Sequence, residues 1–160
     1  MSSRIIIPVL VCGSRTFDHG ALLPYVMGPV LLPILDVVQI VQGGALGADM
    51  KAHLFARGYG LNSKEFVAEW DRYGNSAGPK RNIEMANYCR HLMDKYIVPG
   101  YCFAFWDGQS NGTRHMIKTA EENGLTVHVE RYLPRELYFN QLLQEWQDKF
   151  KQRAQKLKLI

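Results

Sequence analysis

The sequence predicts a Rossmann-like doubly wound α/β fold, a parallel sheet of about five strands followed by one long C-terminal helix. Three observations predict it. Apolar runs recur along the chain and end in glycine or short polar turns, helical patterns lie between them, and the least core-like residues gather just after the runs. Alternating strands and helices imply a parallel sheet covered on both faces. Right-handed crossovers then give the doubly wound order.

The first apolar run, residues 5–12, ends in Gly13-Ser14-Arg15, and the second, 37–41, ends in Gly43-Gly44. A shorter third run covers 65–69 before Trp70-Asp71. The fourth, 101–106, precedes Asp107-Gly108, and the fifth covers 125–129. Helical patterns occupy 48–57, 79–93 and 112–123, the last stopped by Gly124. Residues 21–35 are apolar but carry Pro24, Pro29 and Pro33, so a broken or kinked helix is expected there. Residues 134–159 read as one long helix whose apolar stripe runs Phe139, Leu143, Trp146, Phe150, Ala154, Leu157. Residues 1–132 are therefore expected to form the ligand domain. Residues 133–160 are expected to form an amphipathic helix with a basic end, packed on that domain or on a partner subunit.

Composition bounds the function classes. The 160 residues are 47% hydrophobic and 21% charged, which excludes disordered and fibrous classes. Lys149, Lys151, Arg153, Lys156 and Lys158 close the chain without an acid among them; removing those five from the net +4 leaves residues 1–148 at −1. The basicity thus belongs to the terminal helix. No stretch approaches the roughly 20 apolar residues of a membrane span, and the start is too short an apolar run for a signal peptide. Three cysteines without metal-like spacing suit reduced, buried thiols, so a cytoplasmic chain with no metal is expected.

In an open parallel sheet, ligands bind beyond the carboxyl ends of the strands. Four loops there carry unusual residues. Gly13-Ser14-Arg15 follows the first run, and Gly43-Gly44-Ala45-Leu46-Gly47-Ala48-Asp49 the second. Glycines admit backbone N–H groups close to an anion, and the next helix offers its positive end. The spacing fits neither the dinucleotide fingerprint nor a Walker loop, and a tight turn with Asp49 as an ordinary helix-start residue is the alternative. Gly78-Pro79-Lys80-Arg81-Asn82 places two cations at a helix N-terminus, where they oppose the macrodipole unless a phosphate is bound. Ser110, Gly112, Thr113, Arg114 and His115 repeat that arrangement. Trp70 and Trp106 lie near the same rim and could stack on a base, or pack as rim and core residues.

Four motifs in this order resemble the YspA/YpsA-related branch of the SLOG superfamily, Rossmann-like domains related to the LOG proteins and DprA. They are Gly13-Ser14-Arg15; Gly43-Gly44-Ala45-x-Gly47-Ala48-Asp49; Trp70-x-x-Tyr-Gly-x-x-Ala-Gly78-Pro79-x-Arg81-Asn82; and Ser110-x-Gly112-Thr113. The resemblance covers roughly residues 5–130 and excludes the long helix. It implies a nucleotide-derived ligand of the ADP-ribose, NAD-derivative or nucleoside monophosphate class, for sensing or sequestration, with no further cofactor. It also implies a homo-oligomer, as relatives are often dimers. LOG-type hydrolases carry a glutamate where this chain has Met116, and a thioether is neither acid nor base. An N-glycosidic hydrolase is therefore the alternative, with Asp107, Glu69 or Asp71 as substitute carboxylate. A third reading, DprA-like nucleic-acid binding through the basic helix, is not favoured: terminal cations also suit a solvated helix end and its dipole.

Overall fold

The computed structural model describes residues 3–133 and 137–160. Five strands pair in parallel in the order β3-β2-β1-β4-β5. They are β1 (Ile7–Gly13), β2 (Val38–Gln42), β3 (Asn62–Glu65), β4 (Tyr101–Trp106) and β5 (Thr126–Arg131). Six helices intervene or follow: α1 (Leu22–Leu31), α2 (Ala48–Gly58), the one-turn α3 (Trp70–Tyr73), α4 (Ala77–Tyr96), α5 (Asn111–Glu122) and α6 (Asn140–Lys156). This is the expected doubly wound α/β architecture. The switch point lies between β1 and β4, because the chain winds outward from β1 in both directions.

The central strands are buried on both faces, which gives them continuous apolar runs rather than alternation. Val9, Val11, Ile40, Phe103 and Phe105 pack one face against α1, α2 and α6. Leu10, Cys12, Val41, Cys102 and Ala104 pack the other against α4 and α5. All three cysteines are buried and free.

Two boundaries differ most from the expectation. β3 runs over Asn62–Glu65, upstream of residues 65–69, and all four of its residues are exposed. An edge strand with polar side chains has no apolar signature, and residues 66–69 of the expected run belong to the crossover behind it. The proline-rich helix does break: α1 passes Pro29 and gives way to a 3₁₀ segment, Leu32–Val37, whose Ile34 leaves helical geometry. The final helix starts at Asn140 rather than 134; residues 134–136 of the expected helix lie outside the described residues. Phe139, assigned to the stripe, is 81% exposed. Leu143, Phe150 and Ala154 are buried against the α1 layer, where the Phe150 ring meets Phe55 and Tyr59 at 5.2 and 5.3 Å between centroids.

α4 ends on Ile97, a β-branched residue held in the left-handed region (φ 54°) and 93% exposed. That conformation costs an L-residue roughly 1–2 kcal/mol and glycine almost nothing. Ile97→Gly should raise stability by about 1 kcal/mol once the added freedom of the unfolded glycine is subtracted. A higher urea midpoint at unchanged slope is the expected reading, and a lower one would refute the argument.

Candidate functional site

Ser14 joins three of the loops. Its N–H donates to the Phe105 carbonyl at 2.9 Å, its own carbonyl accepts from Phe17 and Ala48, and its hydroxyl accepts the Asp107 N–H at 3.0 Å. Such proximity needs glycine on either side. A Cβ on Gly13 would meet the Phe105 carbonyl and the Ala48 side chain, and one on Gly47 (φ 80°) would meet the Ser14 carbonyl. These two glycines hold loops together rather than opening a cradle.

Arg81 joins the other pair. Its guanidinium donates to the Gly43 carbonyl, to the Phe66 carbonyl at 3.5 Å and to the Asn82 side chain at 3.2 Å. Gly43 is where that side chain passes, leaving no room for a Cβ. The buried Asn82 side chain donates in turn to the Gly112 carbonyl at 3.3 Å and lies 3.1 Å from His115 Nδ1, fixing α5 to α4.

Together the loops enclose a cleft of about 590 Å³ at the switch point. Ser14, Arg15, Ala45, Asp49, Trp70, Gly78, Arg81, Asn82, Asp107, Ser110, Gly112 and Thr113 all line it. Gly43 and Gly44 line a smaller pocket beside it, shared with Arg15, Trp70 and Arg81. Four other residues singled out in the sequence turn away. Lys80 lies on the Tyr73 ring, 4.7 Å from its centroid. Glu69 is exposed and pairs with Arg72 at 3.7 Å. Asp71 is exposed on α3. Trp106 donates its indole N–H to the Ser110 carbonyl and carries the guanidiniums of Arg114 and Arg131, each 5.5 Å from its ring centre.

The lining also holds Cys12, Met85, His115 and Met116. Met85 was legible: Gly78, Asn82 and Met85 share one helical face. Cys12 closes a buried strand, but nothing in its sequence position marks it as cleft-facing. Its thiol is pushed well up by the neighbouring Cys102 and by burial, so it is a neutral wall rather than a nucleophile.

The chemistry divides along the cleft. Asp49 is buried, its Oδ2 accepts the N–H groups of Gly43 (3.0 Å) and Ala45 (3.4 Å), and burial pushes its carboxyl up to about 6 against the opposing effect of Arg81. At neutral pH it is an acceptor and repels anions. At the start of α5, Ser110 caps the helix by accepting from the Thr113 N–H (3.3 Å) and hydroxyl (3.0 Å). Asn111 and Gly112 carry first-turn N–H groups, which have no acceptor within a helix. That end favours negative charge. Asp107 is held below the usual carboxylate range by the Ser110 and Gln109 N–H groups, both bonded to its Oδ1 at 2.8 Å. Exposed Trp70, with Arg15 5.9 Å from its ring centre, supplies a flat face at the rim.

The raised Asp49 value has a consequence for stability. The folded chain holds that proton more tightly than the unfolded one, so stability falls as pH rises between about 4 and 6, by on the order of 2 kcal/mol. Asp49→Asn should remove that part of the slope. Urea midpoints at about pH 4 and pH 7 check it; an unchanged difference in the variant would assign the slope elsewhere.

Fold and cleft define a Rossmann-like domain with a polar loop cleft at its switch point. No protein-family model matches the sequence. The Gene 61 protein of Mycobacterium phage D29 is 31% identical over 124 residues, an alignment covering 74% of this chain and 92% of that protein. The chain belongs to the family of that phage protein. Among solved structures, DNA processing protein A (DprA) from Streptococcus pneumoniae superposes with a TM-score of 0.56 at 19% identity. The match covers 95% of this chain and 56% of that one, and shows a shared fold. No helix among the described residues is long and apolar enough to cross a membrane.

Proposed function

We propose that the cleft binds a nucleotide-derived small molecule of the nucleoside monophosphate, ADP-ribose or NAD-derivative class, for sensing or sequestration. The observation that carries this reading is the arrangement of one cleft: an open helix start at Asn111 and Gly112 for phosphate, and the buried Asp49 acceptor for ribose or base donors. Trp70 offers a stacking face, and Arg15 adds charge at the rim. The order of motifs supports the YspA-related branch, and the buried reduced thiols suit a cytoplasmic setting. No cofactor besides the ligand enters this reading.

Binding is favoured over hydrolysis by the placement of the carboxylates. Of Asp107, Glu69 and Asp71, Asp107 alone lines the cleft, and its Oδ1 already accepts two N–H groups. Met116 occupies the lining where the LOG pattern has its glutamate. Calorimetric titration with AMP, ADP-ribose and NAD should give a saturable complex, while chromatography of the same mixtures should show no released base. Absence of binding to all three sinks the proposal. Base release abolished by Asp107→Asn would establish the hydrolase instead.

The name of the fold neighbour, DNA processing protein A, favours a second, nucleic-acid-related reading, in which the cleft takes one nucleotide of a strand. Displacement of bound AMP by a short single-stranded oligonucleotide would support it.

A further inference from the structure

The basic end of α6 is absorbed by neither reading, and the fold places it far from the cleft. α6 begins near the carboxyl ends of the strands, where the Tyr138 ring lies 5.0 Å from His19 and Tyr132 bonds Thr16 at 2.7 Å. It finishes at the opposite pole. Arg153 donates to the Leu32 carbonyl just ahead of β2, and the Leu159 carbonyl abuts Gly60 just ahead of β3. A helix of 17 residues spans about 25 Å, so the sheet lies between the basic end and the cleft.

At that pole Lys149, Gln152, Arg153 and Lys156 form one wall of an open groove of about 340 Å³, and Leu32 and Pro33 form the other. The cations follow one another at i, i+4 and i+7, roughly 6 and 4.5 Å apart along the axis. None of them makes an ion pair among the described residues. Lys149 rests on the Trp146 ring at 4.2 Å, and Arg153 is aimed by its bond to Leu32. The nearest acid on the helix, Asp148, accepts from Gln144 at 3.0 Å and acts on Tyr59, toward α2 and away from the groove. A row of unpaired cations over a shallow apolar wall complements a chain of regularly spaced phosphates.

We infer that this groove is a second site, separate from the nucleotide cleft, which binds the phosphate backbone of nucleic acid without reading sequence. Cations here contribute through counterion release, so binding must depend steeply on salt. The small-ligand reading can fail while this site stands, and the reverse.

Anisotropy of a labelled single-stranded oligonucleotide, titrated with the full chain from about 50 to about 200 mM salt, tests it. The combined change Lys149→Gln, Arg153→Gln and Lys156→Gln should weaken binding at least about tenfold at low salt. It should also reduce the logarithmic salt slope by roughly 2, as expected for three lost phosphate contacts. AMP titration of the same variant should match the wild type, and saturating AMP should not displace the strand. If the triple variant does not fold, Lys149→Gln with Lys156→Gln keeps the Arg153 bond and should show the smaller loss. Unchanged affinity in the variants, displacement by AMP, or equal binding of polyglutamate or anionic lipid vesicles would each overturn the inference.

Discussion

Gly112→Asp is expected to abolish anion binding in the cleft while leaving the fold as stable as before or more so. A Cβ at Gly112 meets nothing within 4 Å, so the substitution needs no rearrangement. The residue is second in α5, where a carboxylate suits the macrodipole and loss of glycine favours the helix, together about 1 kcal/mol. The same carboxylate would occupy the place of a ligand phosphate. Repulsion plus loss of the N–H groups should weaken AMP or ADP-ribose at least about a hundredfold, roughly 2.7 kcal/mol. Gly112→Asn is the matched neutral control and should retain most of the affinity. Equal losses in both variants would mean that bulk, not charge, was responsible, and would remove the phosphate from this end of the cleft. Gly112 serves this test better than Arg81, whose guanidinium pins Gly43 and Phe66 and whose loss would disturb the loops themselves.

Phe150→Ala should cost about 4 kcal/mol, a large share of the roughly 5–15 kcal/mol that holds an ordinary domain together. Its ring is fully buried between Phe55 and Tyr59, and it lies against Gly28 of α1, where a side chain would collide with it and with Trp146. Large-to-small changes at such positions lose the transfer energy and leave a cavity. Phe139→Ala, on a ring 81% exposed, should change stability by less than about 0.5 kcal/mol. Urea unfolding of the two variants measures the difference. A loss below about 1 kcal/mol for Phe150→Ala would make α6 an appendage rather than part of the core.

Much of the fold was legible because the central strands are buried on both faces. Continuous apolar runs mark β1 and β4, an apolar run broken by Gln39 and closed by Gly43-Gly44 marks β2, and their alternation with helices fixes parallel pairing. β3 escaped this reading because an edge strand reading Asn-Ser-Lys-Glu buries nothing. Spacing alone does not place the start of α6, because Phe139 satisfies helical spacing without being buried.

The candidate site divides in the same way. Gly, Ser, Arg and Asp after each strand identified the loops, since strand ends in an open sheet are where ligand-facing residues must lie. Side-chain direction was not legible. Lys80 and Arg81 are neighbours at one helix start, yet one lies on Tyr73 outside the cleft while the other ties the Gly43 and Phe66 carbonyls together within it. Trp106 closes β4 and Trp70 opens α3 after the β3 crossover, and of the two Trp70 lines the cleft.

The sequence alone determined the architecture, the four loops that meet at the switch point, and the concentration of positive charge in the last helix. These depend on patterns local to each segment: apolar period, glycine placement and charge order. The tertiary structure decided which glycines serve loop packing and which leave space, and that Asp49 rather than Glu69 or Asp71 joins Asp107 in the cleft. It also decided that the basic end of α6 lies across the sheet from that cleft. Those outcomes depend on contacts between segments distant in the chain, such as Ser14 with Asp107 and Arg153 with Leu32, and no local pattern encodes which partner a side chain meets.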